Sequence, residues 1–239
     1  MGGVLNDQRV LVVGRGSGIA RAVTLTARDA GATVNVAGRH KEALLEAYAG
    51  EPDIRVEEVD LTDDASIAAL GRRLGRIDHV VSTASARARG RVQDLDRDAL
   101  RVSWDTKVLG PLMLAKYLSP QMSRNGSLTL FSGVAATKIA VGTLGVAITN
   151  GSAEVLARSL ALELAPIRVN AVSPGVIDTG AWDAFGEAGK AEYFAEISAR
   201  NPVGRIGTVD DIANAVLFAM TSTFVTGQTI HVDGGEPLG

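Results

Sequence analysis

Short runs rich in valine, isoleucine and leucine alternate along the chain with longer segments of helical character. The apolar runs predict buried strands, and the longer segments predict helices. Strands are predicted at 9–14, 33–38, 54–61, 77–84, 127–133, 167–175 and 227–235. Strands that alternate with helices pair in parallel, because each helix returns the chain to the same end of the sheet. The sequence therefore predicts an α/β fold with a doubly wound parallel sheet of about seven strands and helices on both faces.

No repeat, linker or low-complexity segment interrupts this alternation, so residues 1–239 are expected to form a single domain. One long helix is predicted over about 96–118 and another over about 143–164. The stretch 179–203 is expected to be irregular. A further helix is predicted at 208–221, before the final strand.

Composition and charge exclude several functions. The net charge is -3 and basic residues do not cluster in a run, which argues against nucleic-acid partners. Cysteine is absent, so disulfides, thiol nucleophiles and cysteine metal sites are excluded. The histidines His40, His79 and His231 have no metal-binding spacing, and no metal is expected. Apolar runs are too short to span a membrane, and no signal peptide is apparent, so we expect a cytoplasmic protein without membrane partners.

The turn between the first predicted strand and helix reads GRGSGIA. It places Gly14, Arg15, Gly16, Ser17, Gly18 and Ile19 at the helix start. Glycines let the backbone turn tightly and approach phosphate oxygens, while the helix N-terminus supplies free N–H donors and a positive dipole. A glycine-rich turn in this position predicts nucleotide binding.

The residue after the second predicted strand indicates which nucleotide binds. NAD sites usually carry an Asp or Glu there, which accepts a hydrogen bond from the ribose 2′-hydroxyl. This chain carries Arg39, whose guanidinium suits a 2′-phosphate instead, and Arg15 could approach the same group. We therefore expect NADP(H) as cofactor. A methyltransferase would also have a glycine-rich turn, but it too would have an acid after the second strand.

Over almost its whole length the chain resembles the short-chain dehydrogenase/reductase family, whose fold is a single Rossmann-type domain. The motifs that carry the resemblance are GRGSGIA at 14–20, DL at 60–61, STAS at 82–85, PGVIDT at 174–179, TGQ at 226–228 and VDGG at 232–235. The STAS segment is a changed form of the family's NNAG. The resemblance implies cofactor contacts from Gly14, Arg15, Gly16, Ser17, Gly18, Ile19, Arg39, Asp60, Leu61, Ser82, Ala84, Pro174, Gly175, Ile177 and Thr179.

The catalytic residues of that family are not present. Its members use Tyr as the proton donor, Lys to lower the tyrosine pKa, Ser to orient the carbonyl and Asn to hold a water. The matching positions here are Val146, Asn150, Gly133 and Lys107, respectively, and all four identities differ. Ser132 is the immediate neighbour of the serine position. The chain thus resembles an atypical member of the family, one that lacks the Tyr-x-x-x-Lys pair.

Lys107 and Ser132 are the remaining candidates for catalysis. A lysine at position 107 would place a positive charge at the carboxyl edge of the sheet, where it could replace the missing ammonium or donate a proton. The alternative is a surface lysine on a helix. Tyr193 is a weaker candidate for the acid. It lies in 180–203, a segment that matches the family's variable substrate loop. The aromatic residues of that segment indicate an apolar lid or two packed helical turns.

Three functions remain open at this point. The chain could be an NADP(H)-dependent oxidoreductase that acts on a small carbonyl-like substrate with an unusual catalytic group. It could bind NADP(H) as a regulator or partner subunit without turnover, or act as a lyase or isomerase. In the family, the helices at 96–118 and 143–164 pair across a two-fold axis, so a homodimer or homotetramer is expected. The substrate is not identified.

Overall fold

The computed structural model describes residues 3–239 and contains one sheet of seven parallel strands. The strand order is β3-β2-β1-β4-β5-β6-β7. The strands are β1 (Arg9–Val13), β2 (Thr33–Gly38), β3 (Arg55–Glu58), β4 (Ile77–Ser82), β5 (Met122–Phe131), β6 (Arg168–Pro174) and β7 (Thr229–Val232). Every neighbouring pair is parallel. The predicted doubly wound α/β fold is confirmed, although β3 and β7 are shorter than predicted and β5 begins earlier.

The helices connect the strands and cover the sheet. They are α1 (Gly18–Asp29), α2 (Lys41–Ala47), α3 (Asp64–Leu74), α4 (Arg97–Trp104), α5 (Gly110–Leu118), α6 (Leu144–Glu163), α7 (Gly186–Arg200) and α8 (Val209–Thr221). Helix α8 begins with a capping box between Thr208 and Asp211, which fixes its start after β6. No helix within residues 3–239 combines the length and apolarity needed to cross a bilayer.

Two apolar cores lie on the two faces of the sheet. One contains Val23 of α1 and Val216 of α8. The other contains Ile67 of α3, Leu114 of α5 and Leu160 of α6. The central strands are buried on both faces, since all six residues of β4 are buried. Such burial of both strand faces is characteristic of parallel sheets covered by helices, and it holds the ends of the strands in fixed positions.

The long helix predicted over 96–118 is interrupted by a π-helical turn at Asp105–Leu109. Helix α4 enters this turn and α5 leaves it, so the segment stays helical but contains one turn with i→i+5 hydrogen bonding. The turn contains Lys107. This difference matters for the site, because a π-helical turn changes the direction in which its side chains project.

The stretch 179–203, predicted to be irregular, is mostly helical. A 3-10 helix at Gly180–Phe185 leads directly into α7. The aromatic rings of Trp182, Phe185 and Tyr193 pack against one another, with centroid separations of 5.0–6.0 Å. This packing explains why the segment folds into helices although glycines interrupt its sequence.

Candidate active site

The candidate site lies at the carboxyl ends of the strands, where the strand order reverses. From β1 the chain builds outward through β2 to β3, and then returns to place β4 on the other side of β1. Connections leave β1 and β4 in opposite directions, which opens a crevice between them. In open parallel sheets such a switch point is where ligands bind.

The glycine-rich turn at the start of α1 presents free donors to this crevice. The Ser17 side chain makes no capping hydrogen bond. No described residue accepts a hydrogen bond from the amides of Gly18, Ile19 or Ala20. Gly18 has φ +55°, a conformation that favours glycine. The turn therefore fits an anionic phosphate bound by backbone amides and the helix dipole.

Arg15 and Arg39 lie beside this turn with exposed side chains, and neither has a hydrogen-bond or ion-pair partner within residues 3–239. The charge of Arg39 contributes to lowering the pKa of Asp60, although the main causes are hydrogen bonds that the Asp60 carboxylate accepts from the amide and hydroxyl of Thr62. Arg39 thus lies close to the end of β3. Two unpaired guanidinium groups near the turn could hold a further phosphate.

The structure brings most of the predicted cofactor residues to one edge. The loop that follows β6 approaches the turn, since a Cβ atom added to Gly18 would lie 3.6 Å from the Thr179 side chain. Ala84, Pro174, Gly175 and Thr179 are half-buried and border the crevice. Their role in binding stays a prediction.

At three of the predicted contact positions the side chain is buried in the protein, and the role of these positions in binding stays a prediction. Leu61 and Ile177 pack in the two apolar cores. The Ser82 side chain is 2% exposed, and its Oγ has no partner in the described part of the chain. At each of these positions the side chain faces the interior of the protein. Any contact of these residues with a cofactor would have to come from their main chain.

Lys107 projects from the π-helical turn into the interior at the edge of the crevice and is only 7% exposed. Its Nζ donates hydrogen bonds to the main-chain oxygen of Ser132, at 3.1 Å, and to Oδ1 of Asn150. The surface-lysine interpretation is therefore wrong, and the ammonium lies between the end of β5 and the N-terminal half of α6.

Asn150 links Lys107 to the end of β5. Its Nδ2 donates to the main-chain oxygen of Gly133, at 3.1 Å. A Cβ atom at Gly133 would lie 3.0 Å from the same Nδ2, so the Asn150 carboxamide occupies the space beside this glycine. Val146 lies one turn before Asn150, is buried, and belongs to neither apolar core. These positions form one connected group on the face of α6 that meets Lys107.

The Ser132 hydroxyl forms its hydrogen bonds away from Lys107, and its catalytic role stays a prediction. Its Oγ donates to the Glu154 carboxylate, at 2.7 Å, and lies 3.2 Å from the main-chain oxygen of Asn150. The cause is the strand register, because successive residues at the end of β5 face opposite sides. Ser132 therefore contacts Lys107 through its carbonyl oxygen only, and it positions the ammonium.

The pKa of Lys107 is strongly perturbed. Burial, and to a smaller extent the charge of Arg87, lower the pKa from 10.5 to about 7. The two hydrogen-bond acceptors of Lys107 are uncharged, and no carboxylate pairs with it in residues 3–239. A lysine with a pKa near neutrality can both donate and accept a proton under ordinary conditions, as a general acid or base must.

This perturbed lysine predicts a pH-dependent stability. The unfolded chain keeps a lysine pKa near 10.5, so between pH 7 and 10.5 the unfolded state binds more protons than the folded state. Charged Lys107 therefore lowers the free energy of unfolding by its full amount below pH 7. This destabilisation decreases as the pH rises from 7 to 10.5. Relative to wild type, Lys107→Met is expected to be favoured most at pH 6, and its advantage should shrink by up to about 1.4 kcal/mol per pH unit between pH 7 and 10.

Urea unfolding of the wild type and Lys107→Met at pH 6, 8 and 9.5 measures this change. The control is Lys116→Met, since Lys116 on α5 is exposed and its pKa is raised, mainly by its neighbour Tyr117. A pH-independent difference between Lys107→Met and wild type would contradict a depressed pKa.

Two arginines at the crevice were missed in the sequence. Arg87 and Arg89 lie in the loop that follows β4 and have exposed side chains. The pKa of Arg87 is lowered by partial burial and by the charges of Arg89 and Arg15. Arg89 also lies near enough to Tyr193 of α7 to affect the pKa of Tyr193. The signal was present as the alternating SARARG sequence at 85–90.

A seven-stranded parallel sheet with a glycine-rich turn at its switch point defines a nucleotide-binding protein of the Rossmann class. Residues 13–236 match the family model described as enoyl-(acyl carrier protein) reductase. The chain belongs to the short-chain dehydrogenase/reductase family and is an oxidoreductase that binds a nicotinamide cofactor.

Relatives and solved structures cover nearly the whole chain. A short-chain dehydrogenase/reductase of Stachybotrys chlorohalonatus, ATR9, is 33% identical, with 98% of each chain covered. The 3-oxoacyl-[acyl-carrier-protein] reductase FabG of Thermotoga maritima is 31% identical, with 97% of this chain and 98% of the relative covered. A crystal structure of a small-chain dehydrogenase in complex with NADPH superposes with TM-score 0.85 at 30% identity, covering 98% of this chain and 100% of the other.

Proposed function

We propose that this protein is an NADP(H)-dependent oxidoreductase that reduces a small carbonyl compound and uses Lys107 as the proton donor. The observation that carries this proposal is the buried Lys107 ammonium, held by Ser132 and Asn150 at the crevice edge, with a pKa of about 7. A buried ammonium without a carboxylate partner is costly for stability, and such groups are concentrated at functional sites.

Two catalytic residue types of the family appear here with their positions exchanged. The family has asparagine at the position of Lys107 and lysine at the position of Asn150. In this chain the two side chains contact each other directly. An ammonium and a carboxamide are thus both retained in the site, while the ammonium is supplied by the π-helical turn instead of α6. The exchange supports the proposal that the positive charge was kept for function.

The residues around the ammonium have separate tasks in this proposal. The bound nicotinamide cofactor supplies the hydride. Lys107 donates a proton from Nζ to the substrate oxygen, while the Asn150 oxygen and the Ser132 carbonyl hold the Nζ in place. Val146 replaces the family's tyrosine with an apolar surface, so it excludes water without supplying a competing donor. This is general acid catalysis with a positioned lysine.

The cofactor contacts would come from the glycine-rich turn and the unpaired arginines. Amides of Gly18 and Ile19 would receive the pyrophosphate. Arg39, with Arg15, would receive a 2′-phosphate, which favours NADP(H) over NAD(H). The NADPH complex of a structural neighbour supports this type of cofactor. The segment 180–203, which carries the aromatic cluster, is proposed to cover the substrate.

Steady-state oxidation of NADPH with a panel of small ketones, aldehydes and keto acids tests the function. Turnover of at least one carbonyl class, with NADPH preferred over NADH, is the expected result. Tight NADPH binding without turnover across the panel would instead favour a regulatory or partner role.

We also propose that the protein forms a homodimer or homotetramer through α4 and α6. An apolar cavity of about 730 Å³ opens on this surface, and Trp104, Ile148 and Val155 line it. These side chains are exposed although they are large and apolar. A contiguous exposed apolar surface of this kind fits a second copy of the chain.

A further inference from the structure

The loop that joins β4 to the following 3-10 helix is anchored on one side only. The Ser103 hydroxyl of α4 donates to the main-chain oxygen of Ala86, at 2.7 Å. Ala88 is buried, and its carbonyl oxygen lies 2.7 Å from where a Cβ atom on Gly145 would be. The Gly90 amide donates to the Gly142 oxygen, at 3.0 Å. The loop is thus held against α4 and the start of α6 by every second residue.

The residues between these anchors are Arg87 and Arg89. Both are exposed, and neither has a hydrogen bond or an ion pair with any residue of 3–239. The Ala88 side chain packs toward Gly145 while the side chains on either side of it are exposed, so the arginines lie on the solvent side of the loop. Two unpaired guanidinium groups therefore lie on the open side of an anchored loop.

The position of the loop brings Arg87 close to Lys107. Ser103 and Lys107 are four residues apart, and both are buried. Ser103 lies near the end of α4, just before the π-helical turn that carries Lys107, and it contacts Ala86, so the chain at Arg87 passes close to this turn. Burial is the main cause of the lowered pKa of Lys107, and the charge of Arg87 contributes to it, which agrees with this closeness. Arg89 lies farther along the loop, toward Tyr193 of the proposed cover.

We propose that Arg87 and Arg89 form a subsite for an anionic group, a carboxylate or a phosphate, of the substrate. The inference rests on the proposed oxidoreductase function and narrows its substrate class to anionic carbonyl compounds. Arg15 and Arg39 would be engaged by the cofactor, which leaves Arg87 and Arg89 as the free cations between Lys107 and α7. Guanidinium groups bind carboxylate and phosphate through paired, charge-assisted hydrogen bonds. An anion there would also offset the repulsion among Arg87, Arg89 and Lys107.

Calorimetric titration of the NADP⁺-saturated protein tests the subsite without requiring turnover. The probes are malonate for a carboxylate and glycerol 1-phosphate for a phosphate, with dimethyl malonate and glycerol as their neutral counterparts. We expect at least one anion to bind more tightly than its neutral counterpart. Binding should weaken roughly tenfold or more in Arg87→Gln/Arg89→Gln, the range of one or two charge-assisted contacts. Arg87→Lys/Arg89→Lys, which keeps the charges, should lose less.

The control is Arg124→Gln, because Arg124 is exposed at the amino end of β5, on the opposite edge of the sheet. Arg124→Gln removes one positive charge far from the loop and should leave anion binding unchanged. Equal affinity for anion and neutral counterpart, or equal weakening in Arg124→Gln, would overturn the subsite. Anion binding that depends on Arg87 and Arg89 in a protein without NADPH turnover would uphold the subsite and reject the proposed function.

Discussion

Replacing Lys107 with methionine is expected to lower turnover roughly 10²-fold or more, the contribution of a positioned general acid. Methionine keeps the length of the side chain and removes the proton and the charge. The loss should appear in kcat, because Lys107 acts on the substrate oxygen as charge develops there. Steady-state kinetics of NADPH oxidation with the best substrate of the panel measures the effect, with Lys116→Met as the matched control.

The pH profile of the wild type gives a second measure of the same role. Carbonyl reduction needs the protonated lysine, so the rate should fall as the pH rises above about 7. Alcohol oxidation needs the neutral lysine and should show the opposite dependence. Lys107→Arg keeps the charge but not a transferable proton, so it should restore binding better than turnover and remove this dependence.

Exchanging Lys107 and Asn150 tests whether the ammonium must come from the π-helical turn or whether its presence in the site is sufficient. Lys107→Asn alone should be as inactive as Lys107→Met. Lys107→Asn/Asn150→Lys returns the lysine to α6 and should recover part of the activity, since the two side chains meet in the folded protein. Wild-type turnover in Lys107→Met would show that the lysine has no part in the chemistry.

Arg39→Asp is expected to reverse the cofactor preference. Loss of charge-assisted bonds to a 2′-phosphate removes about 1.5–3 kcal/mol, which is roughly 10- to 150-fold in NADPH affinity. The new carboxylate repels the phosphate and can accept a hydrogen bond from the 2′-hydroxyl of NADH. Fluorescence titration with NADPH and NADH measures both affinities.

Arg55→Asp is the matched control for this change. Arg55 is exposed at the amino end of β3, on the edge opposite Arg39, and the substitution changes the net charge equally. Its NADPH-to-NADH affinity ratio should stay at the wild-type value. Equal affinity of the wild type for the two cofactors would show that Arg39 does not read the 2′-phosphate.

The strands could be expected from sequence because their signal is local. The apolar run of β1, for example, is complete within five residues. The helical character of α7 is only an alternative in the sequence, because Gly186 and Gly189 break the pattern. The stabilising contacts join aromatic residues up to eleven positions apart, Trp182 and Tyr193. Local propensity does not report such contacts.

The site was predictable in part for the same physical reason. The glycine-rich turn and Lys107 could be located from motif spacing. The orientation of Ser132 depends on where the alternation of side chains along β5 ends. A shift of one residue would turn the side chain to the opposite face of the sheet. Arg87 and Arg89 are aimed by contacts of their loop with Ser103 and Gly142, which are distant in sequence.

The π-helical turn has a consequence for how easily this site could be gained or lost. A π turn holds one residue more than an α turn, so it equals a one-codon insertion in an otherwise regular helix. Deleting one residue within Asp105–Leu109 would return the turn to α-helical geometry and leave α4 and α5 nearly in their present orientations, while the residues inside the turn would project in new directions. Packing of Gly110 against Leu61 holds the second half of the helix in place, so the change would be confined to the turn. A single deletion could thus remove Lys107 from Asn150 without changing either residue.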